Sequence, residues 1–172
     1  MTIRYFVPAV ACLAVFASIN AMAGDAPRFL GNHETSPEDR QAIQDVLSGY
    51  TQAVIAGDEA AFESLLLDKD NPFAYADDAA SPATASGRID THRYQDFRDA
   101  VFGSGKRYSQ HFYHVRIEQD GALAQASLDF VTRDAKTGKG SYGFKVLQLL
   151  KVQGKWKIAS EFYTGHAAPD PA

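Results

Sequence analysis

The sequence has 172 residues, of which 45% are hydrophobic and 22% are charged, and a formal net charge of -4 at pH 7. A chain of this length and composition is expected to fold as one globular domain, because it is too hydrophobic and too weakly charged to be a disordered protein. The acidic balance argues against a nucleic-acid partner, since nucleic-acid binders concentrate Lys and Arg to contact phosphates.

The first 23 residues have the pattern of a secretory signal peptide. Arg4 precedes an apolar run at residues 6–19, and Ala21-Met22-Ala23 matches a small-residue cleavage site. We predict cleavage after Ala23, leaving a periplasmic or secreted protein that is not attached to a membrane. The alternatives are a retained membrane helix, for which the apolar run is shorter than the ~20 residues needed, and a lipid on Cys12. Because Cys12 is the single cysteine, the mature chain would contain neither a disulfide nor a Cys-based zinc site.

Three helices are predicted in the first half of the mature chain, after a flexible arm at residues 24–35. A residue type that favours N-caps stands before each helix, in chain order Ser36, Asp58, and Asp90 or Thr91. Gly57 is predicted to end the first helix and Gly103 the third. Apolar residues recur at intervals of three and four, which predicts buried stripes of Ile43, Val46, Leu47, Tyr50 and Val54, then Phe62, Leu65 and Leu66, then Tyr94, Phe97, Val101 and Phe102. Residues 68–90 are predicted to be a long loop with one short strand at 73–75.

The second half is predicted to form strands, because the apolar period changes to two after Lys106. Asp120-Gly121 and Gln153-Gly154 fit two-residue hairpin turns, and residues 135–139 fit a longer hairpin loop. Strands are predicted at 107–119, 122–134, 140–152 and 155–164, followed by a disordered tail at 167–172. The order of elements predicts an α+β fold, in which three N-terminal helices pack on an antiparallel sheet of four strands plus one short extra strand.

Three stretches of the chain resemble a known superfamily. They are the end of the first helix with its turn (50–58), the second helix (62–67) and the closing hairpin (147–158). They are similar to the nuclear-transport-factor-2-like proteins, the cystatin-like fold of SnoaL-like and lumazine-binding-type domains, over a domain at residues 36–166. The resemblance implies a curved sheet that wraps around the helices and leaves a pocket open at one end. Some members are isomerases, cyclases or dehydratases and others bind ligands or partners, so the fold does not choose the function.

A sheet register follows if both two-residue turns hold and the middle loop spans residues 134–139. It places Tyr113, Leu128, Lys145 and Phe162 in one row of the face toward the helices. Polar residues on this face must be hydrogen-bonded or lie at an opening, so we assign to the pocket mouth a ligand-binding set of His111, Tyr113, Lys145, Ser160 and Phe162. The opposite face is too aromatic to meet only water. We therefore predict a homodimer through that outer face, formed by Phe112, Tyr142, Phe144, Val146 and Tyr163.

The histidines and clustered acids do not form a metal-binding motif. His111 and His114 are three residues apart, so on a strand they lie on opposite faces and cannot chelate one metal ion. The acidic cluster lacks the spacing of a calcium loop and is predicted to be solvated; it consists of Asp68, Asp70, Asp77 and Asp78. The sequence therefore predicts neither a metal nor a cofactor.

The predicted function is that of an exported small-molecule-binding protein. Lys145 would bring a positive charge to an apolar pocket, which favours an apolar ligand with an anionic end, unless its stem only packs along Phe162 on the way to solvent. Enzymes of the resembling superfamily use a carboxylate base inside the cavity, and the predicted register turns no Asp or Glu inward, which argues against an enzyme. Two alternatives stay open: an isomerase, cyclase or dehydratase using the same pocket, and a periplasmic partner-binding protein of the immunity type.

Overall fold

The computed structural model describes residues 27, 30, 31, 33–76 and 90–170. The chain divides into a unit that ends at Gly31 and a unit from residue 32 onward, and the second unit carries the fold described below. The predicted signal peptide, Asp77 and Asp78 lie outside the described residues. Among the residues that are described, no helix is both long enough and apolar enough to cross a membrane.

The first two helices begin where the local signals place them, but the second ends at Glu63, before Leu65 and Leu66, which the sequence assigns to its buried stripe. Helix α1 spans Pro37–Ala56, and the side chain of Ser36 accepts a hydrogen bond from the backbone N of Asp39 at 3.1 Å. Gly57 ends α1 in the left-handed conformation at φ +67°, which glycine adopts without a steric penalty. Helix α2 spans Glu59–Glu63 and is capped by Asp58. Together these caps fix the direction in which α1 crosses the sheet.

The third helix is shorter than predicted and is partly π-helical. Helix α3 spans Tyr94–Arg98 and continues as a π-helical turn at Asp99–Gly103. The expected cap at Asp90 is wrong as a helix start, because its side chain instead accepts from the backbone N of His92 at 2.8 Å in a local turn. The polar Asp and Thr signal therefore marks this turn, and the helix begins a few residues later.

Six strands form one mixed sheet rather than the predicted antiparallel one. Its main part is an antiparallel meander of β2 (Tyr108–Asp120), β3 (Leu123–Asp134), β4 (Gly140–Val152) and β5 (Lys155–Tyr163). The short β1 (Phe73–Tyr75) pairs with β5 in parallel, and β6 (His166–Ala167), whose second residue begins the predicted tail, pairs with β4. Strands of two or three residues carry too little alternation to be assigned a partner from sequence.

Two β-bulges change which side chains face the helices. In β2, His114 and Val115 lie between the pairs Tyr113–Asp129 and Arg116–Ser127, so that they share one opposing residue. In β5, Ala159 is the extra residue between Ile158, which pairs with Leu149, and Ser160, which pairs with Gln148. An extra residue shifts the alternation of all that follows by one. The predicted inward and outward directions of the side chains are therefore wrong beyond each bulge, and Phe112, Glu161 and Tyr163 point inward in place of Tyr113 and Phe162.

The core lies between one face of α1 and the inner face of the sheet. Its fully buried helix residues include Ile43, Tyr50 and Val54, in agreement with the predicted stripe. The inner sheet residues near the hairpin turns are Ile117, Ala126, Leu147, Leu149, Trp156 and Ile158. This end of the structure is filled by side chains, whereas the end beyond the two bulges contains a cavity.

Asp39 ties the first turn of α1 to the sheet. Its carboxylate accepts from Lys151 Nζ at 2.7 Å, from Gln119 Nε2 at 2.7 Å and from Trp156 Nε1 at 2.9 Å. The hydrogen bond from Lys151, followed by those from Gln119 and Trp156, holds the pKa of Asp39 well below its usual value. The ionised carboxylate is therefore the form that supports the fold.

Replacing Asp39 with Asn should lower the free energy of unfolding at neutral pH and should have less effect in acid. Because the pKa is lower in the folded state, the contribution of Asp39 is present above the ordinary aspartate pKa of about 4 and is lost progressively below it. Urea midpoints at neutral and acidic pH measure both effects. The control is Asp45→Asn on the exposed face of α1, whose urea midpoint should equal that of the wild type at each pH. If the difference in midpoint between Asp39→Asn and the wild type does not change with pH, the expectation is contradicted.

Candidate functional site

A cavity of about 550 Å³ lies between α3, its π-helical turn and the inner face of the sheet. Its wall is mainly apolar and comes from every layer of the fold, including Val54 of α1, Phe73 of β1, Phe97 of α3, Val101 and Phe130 of β3. The volume is in the range of small-molecule sites. It lies at the end of the sheet beyond the two bulges, where Gln110, Thr132 and Ser141 line it.

One wall of the cavity carries a polar row of three residues, Gln110, Thr132 and Ser141. They stand opposite one another on β2, β3 and β4, and all three line the cavity. Gln110 donates from Nε2 to Thr132 Oγ1 at 2.9 Å. Its Oε1 is buried and has no hydrogen-bond partner within the described part of the chain. An unpaired buried polar atom is costly, so this amide is suited to a polar group on a ligand.

Deeper in the interior, Tyr50, Lys145 and Glu161 form what we call the buried triad. The side chains of Lys145 and Glu161 are 2% and 0% exposed, and Lys145 Nζ lies 2.5 Å from Glu161 Oε1. Lys145 also donates to Tyr50 Oη at 2.7 Å, and Tyr50 donates to Glu161 Oε1 at 3.1 Å. Among the described residues nothing bonds to the buried Oε2 of Glu161. Lys145 belongs to the cavity wall, so the triad meets the cavity at this residue.

Aromatic rings surround the Lys145 amine. Its Nζ lies between 4.5 and 5.9 Å from five ring centroids, those of Tyr50, Phe97, Phe112, Phe130 and Tyr163. The faces of such rings attract a cation, and the attraction is strongest where water is absent. The rings therefore replace part of the hydration that the amine loses when it is buried.

Burial also changes the acid–base properties of the triad. It lowers the pKa of Lys145, an effect that the negative charge of Glu161 opposes. It raises the pKa of Glu161, against the charge of Lys145 and its hydrogen bond. Burial, together with the charge of Glu161, raises the pKa of Tyr50. Burial therefore reduces the difference between the pKa of the amine and the pKa of the carboxyl group.

Only one member of the predicted ligand-binding set lines the cavity, and that is Lys145. Ser160 is buried but lies in the outward row, where it donates to Gln148 Oε1 at 2.8 Å. Tyr113 and Phe162 are exposed on the outer face, and His111 is also exposed. The prediction that these four residues face the pocket is therefore wrong. The two bulges in β2 and β5 shift the alternation of the strands and turn these side chains away from the cavity.

The sequence prediction missed Glu161, Tyr50 and Gln110 as site residues. Glu161 was assigned to the outer face, and the statement that no inward position carries a carboxylate is therefore wrong. No alternation pattern reveals the bulge at Ala159. For Tyr50 a signal existed, because a tyrosine in the buried stripe of α1 needs an interior partner for its hydroxyl group.

The outer face of the sheet carries an exposed apolar surface, but its residues differ in part from those predicted. Phe112 and Tyr163, two of the predicted dimer residues, instead point toward the core. Tyr142, Phe144 and Val146 remain on the outer face, where Tyr113 and Phe162 join them. We call these five residues the outer patch.

Metal-ligating side chains form no candidate site in the described part of the chain. In residues 33–76 and 90–170 no group of three or more His, Cys, Asp or Glu side chains could hold a metal ion.

The match to a family model covers most of this domain. Residues 38–164 match the family described as "Putative lumazine-binding". The chain belongs to this family. It is also a member of the NTF2-like superfamily that the sequence resemblance indicated. A comparison with curated proteins gives no match.

Solved structures with the same fold differ in what is known of them. An NTF2-like protein of unknown function from Shewanella baltica OS155 is 21% identical, with a TM-score of 0.54 over 79% of this chain and 98% of that one. A protein of unknown function with a cystatin-like fold from Nostoc punctiforme PCC 73102 is 13% identical, with a TM-score of 0.56 over 77% and 95%. A "Putative Scytalone Dehydratase" from Novosphingobium aromaticivorans DSM 12444 is 17% identical, with a TM-score of 0.54 over 78% and 89%. At these identities the likeness shows the fold alone.

Proposed function

We propose that this protein binds a small, mostly apolar ring compound in the cavity between α3 and the sheet. The observation that carries the proposal is the unpaired, buried Oε1 of Gln110 in the polar row of a mainly apolar wall. Cavities of this size with a few convergent polar groups are typical ligand sites. The ligand would lie against Phe97 and Phe130 and direct a polar edge toward Gln110.

We do not retain the prediction, made from the sequence, that the ligand has an anionic end. That expectation required Lys145 to be an unpaired charge, whereas Glu161 lies 2.5 Å from its amine. The pair contributes no net charge to the cavity, so it gives no long-range attraction for an anion. We therefore propose an uncharged ligand with hydrogen-bonding groups along one edge.

Lumazine is the first probe for this site, because the family description names it and because it is a planar, uncharged heterocycle. Titration calorimetry should detect binding to the wild type, and Gln110→Leu should weaken it about tenfold, as expected for one lost hydrogen bond. The matched control is Gln52→Leu on the exposed face of α1, which should bind like the wild type. Mass spectrometry of the protein purified from its native host tests for other ligands. If lumazine does not bind and no compound co-purifies, the proposal is wrong.

An enzyme acting in the same cavity is the second candidate. The predicted register has no inward carboxylate, which weighs against an enzyme. In the structure, Glu161 is such a carboxylate. A buried ionisable pair beside a cavity is a common feature of catalytic sites. An assay for consumption of a compound that co-purifies with the protein would separate catalysis from binding.

We also propose that the chain is exported and cut after Ala23, on the strength of the Arg4, apolar-run and Ala-Met-Ala pattern. Amino-terminal sequencing of the exported protein should begin at Gly24. A retained Met1, or a lipid attached to Cys12, would contradict this proposal.

We further propose that the outer patch forms a homodimer interface. Phe144 lies near its centre and is 48% exposed, so covering it with a second copy would remove apolar area from water. The wild type should sediment as a dimer and Phe144→Glu as a monomer, because the variant would bury a carboxylate. The control Ile55→Glu alters an exposed apolar residue of α1 and should stay dimeric. A wild type that is monomeric at high concentration would end the proposal.

A further inference from the structure

The Lys145 amine differs from the exposed lysines of the protein in three respects. Its residue lines a cavity, its side chain is 2% exposed, and a carboxylate is in direct contact with the amine. Lys69, by contrast, pairs with Glu63 while its own side chain is 74% exposed. An amine that is sheltered from water and in contact with a proton acceptor has the surroundings that activate lysine as a nucleophile.

We propose that Lys145 forms a Schiff base with a small apolar aldehyde or ketone held in the cavity. This inference rests on the proposed function, because the carbonyl compound is the ligand of the same cavity. It goes further by assigning a covalent bond to one atom, Lys145 Nζ, and a role in proton transfer to Glu161.

The contact between Lys145 and Glu161 places a group that can accept and donate protons next to the reacting nitrogen. The Lys145 ammonium first gives one proton to Glu161 across their 2.5 Å contact, leaving a neutral amine and a carboxylic acid. The nitrogen lone pair attacks the carbonyl carbon, the C=O π bond breaks, and the oxygen takes the proton from Glu161. The resulting carboxylate then removes a proton from the nitrogen.

Loss of water completes the reaction and restores the charges. Glu161 returns its proton to the hydroxyl group, which leaves as water while the nitrogen lone pair forms the C=N bond. The product is a protonated imine beside a carboxylate, so one ion pair replaces another and no oxidant or reductant is required. Tyr50, which donates to Glu161 Oε1 at 3.1 Å, is a positioning residue for the carboxylate.

The surroundings of Lys145 suit both the free amine and the product. Burial lowers the pKa of Lys145 and so raises the fraction of neutral amine. The iminium product is a cation, and the five surrounding rings remain available to stabilise it. A buried ion pair stabilises a fold poorly compared with apolar side chains of similar size. A chemical role for the pair is consistent with its position beside a cavity.

Reductive trapping of the full-length protein with benzaldehyde and cyanoborohydride tests the proposal. Hydride reduction of the imine leaves a benzyl group on the modified lysine, and peptide mapping locates it. We expect Lys145 to be labelled about tenfold faster than exposed lysines such as Lys69 in the same sample, because benzaldehyde bound in the cavity would be held close to this lysine. In concentrated urea this preference should disappear. Equal or slower labelling of Lys145 in the folded protein would overturn the inference.

Two variants and a second probe separate this inference from the proposed function. The probe is benzyl alcohol, which has the ring of benzaldehyde but no carbonyl group. Glu161→Gln should slow labelling of Lys145 severalfold, while Tyr50→Phe should slow it less, because the carboxylate is retained. Circular dichroism establishes that each variant is folded, and the comparison between lysines in the wild type needs no variant. If lumazine or benzyl alcohol binds and Lys145 is not labelled, the inference is wrong and the proposed function stands. If neither compound binds, no compound co-purifies and Lys145 is not labelled, both are wrong.

Discussion

Replacing Glu161 alone with Leu should destabilise the protein by about 3–5 kcal/mol, because it leaves the Lys145 charge buried without a partner. Lys145 and Glu161 are 2% and 0% exposed, so water cannot replace the missing group. The double variant Lys145→Met with Glu161→Leu should recover most of this loss, since two apolar side chains of similar size need no compensation. Urea unfolding of the wild type, both single variants and the double variant gives the coupling energy.

The single variant Lys145→Met should be less harmful in acid than at neutral pH. It leaves Glu161 buried, and a carboxyl group whose pKa is raised by burial is stabilised in its protonated form as the pH falls. The matched control is Lys69→Met at the exposed pair with Glu63, which should cost no more than about 1 kcal/mol. A double variant as unstable as the sum of the single variants would show that the two charges are not coupled.

Trp156→Ala should destabilise the protein by about 3–5 kcal/mol, as large-to-small changes at buried aromatic residues do. The ring is 4% exposed in the core, and its Nε1 donates to Asp39 at 2.9 Å. The variant therefore loses apolar contacts and also one donor to the carboxylate that anchors α1. Chemical denaturation measures the loss.

Two further variants separate the contributions of Trp156. Trp156→Phe keeps an aromatic ring and removes the hydrogen bond, so it should fall between the wild type and Trp156→Ala. Val152→Ala changes a mostly exposed residue of the same hairpin and should alter the midpoint little. An unchanged midpoint for Trp156→Ala would contradict the buried position of the ring.

Much of the fold can be predicted from local signals in the sequence. Ser36 and Gly57 mark the ends of α1 because a cap acts within a few residues of itself. The pairing of Leu128 with Lys145 was also predicted correctly, since the loop at 135–139 sets that register. The first hairpin turn was placed one residue early, because Asp120 still pairs with Leu123 and the turn consists of Gly121 and Ala122.

The interior chemistry was harder to predict because it depends on long-range pairing. Whether Ala159 bulges is settled by how β5 meets β4 and by how β1 then joins β5, and neither contact leaves a trace in the alternation of residues 155–163. Lys145 was found because it lies on β4, where the register is regular. Glu161 was missed because it follows the bulge.

The bulge at Ala159 has a practical meaning for the comparison of relatives. If that one residue were deleted, Ile158 and Glu161 would still face inward in a regular strand, because the deletion and the bulge cancel in the alternation. A relative without the bulge therefore aligns correctly only when a gap is placed opposite Ala159. In an ungapped alignment, Glu161 would stand beside a residue from the opposite side of the relative's sheet, and two equivalent interior carboxylates would look unrelated.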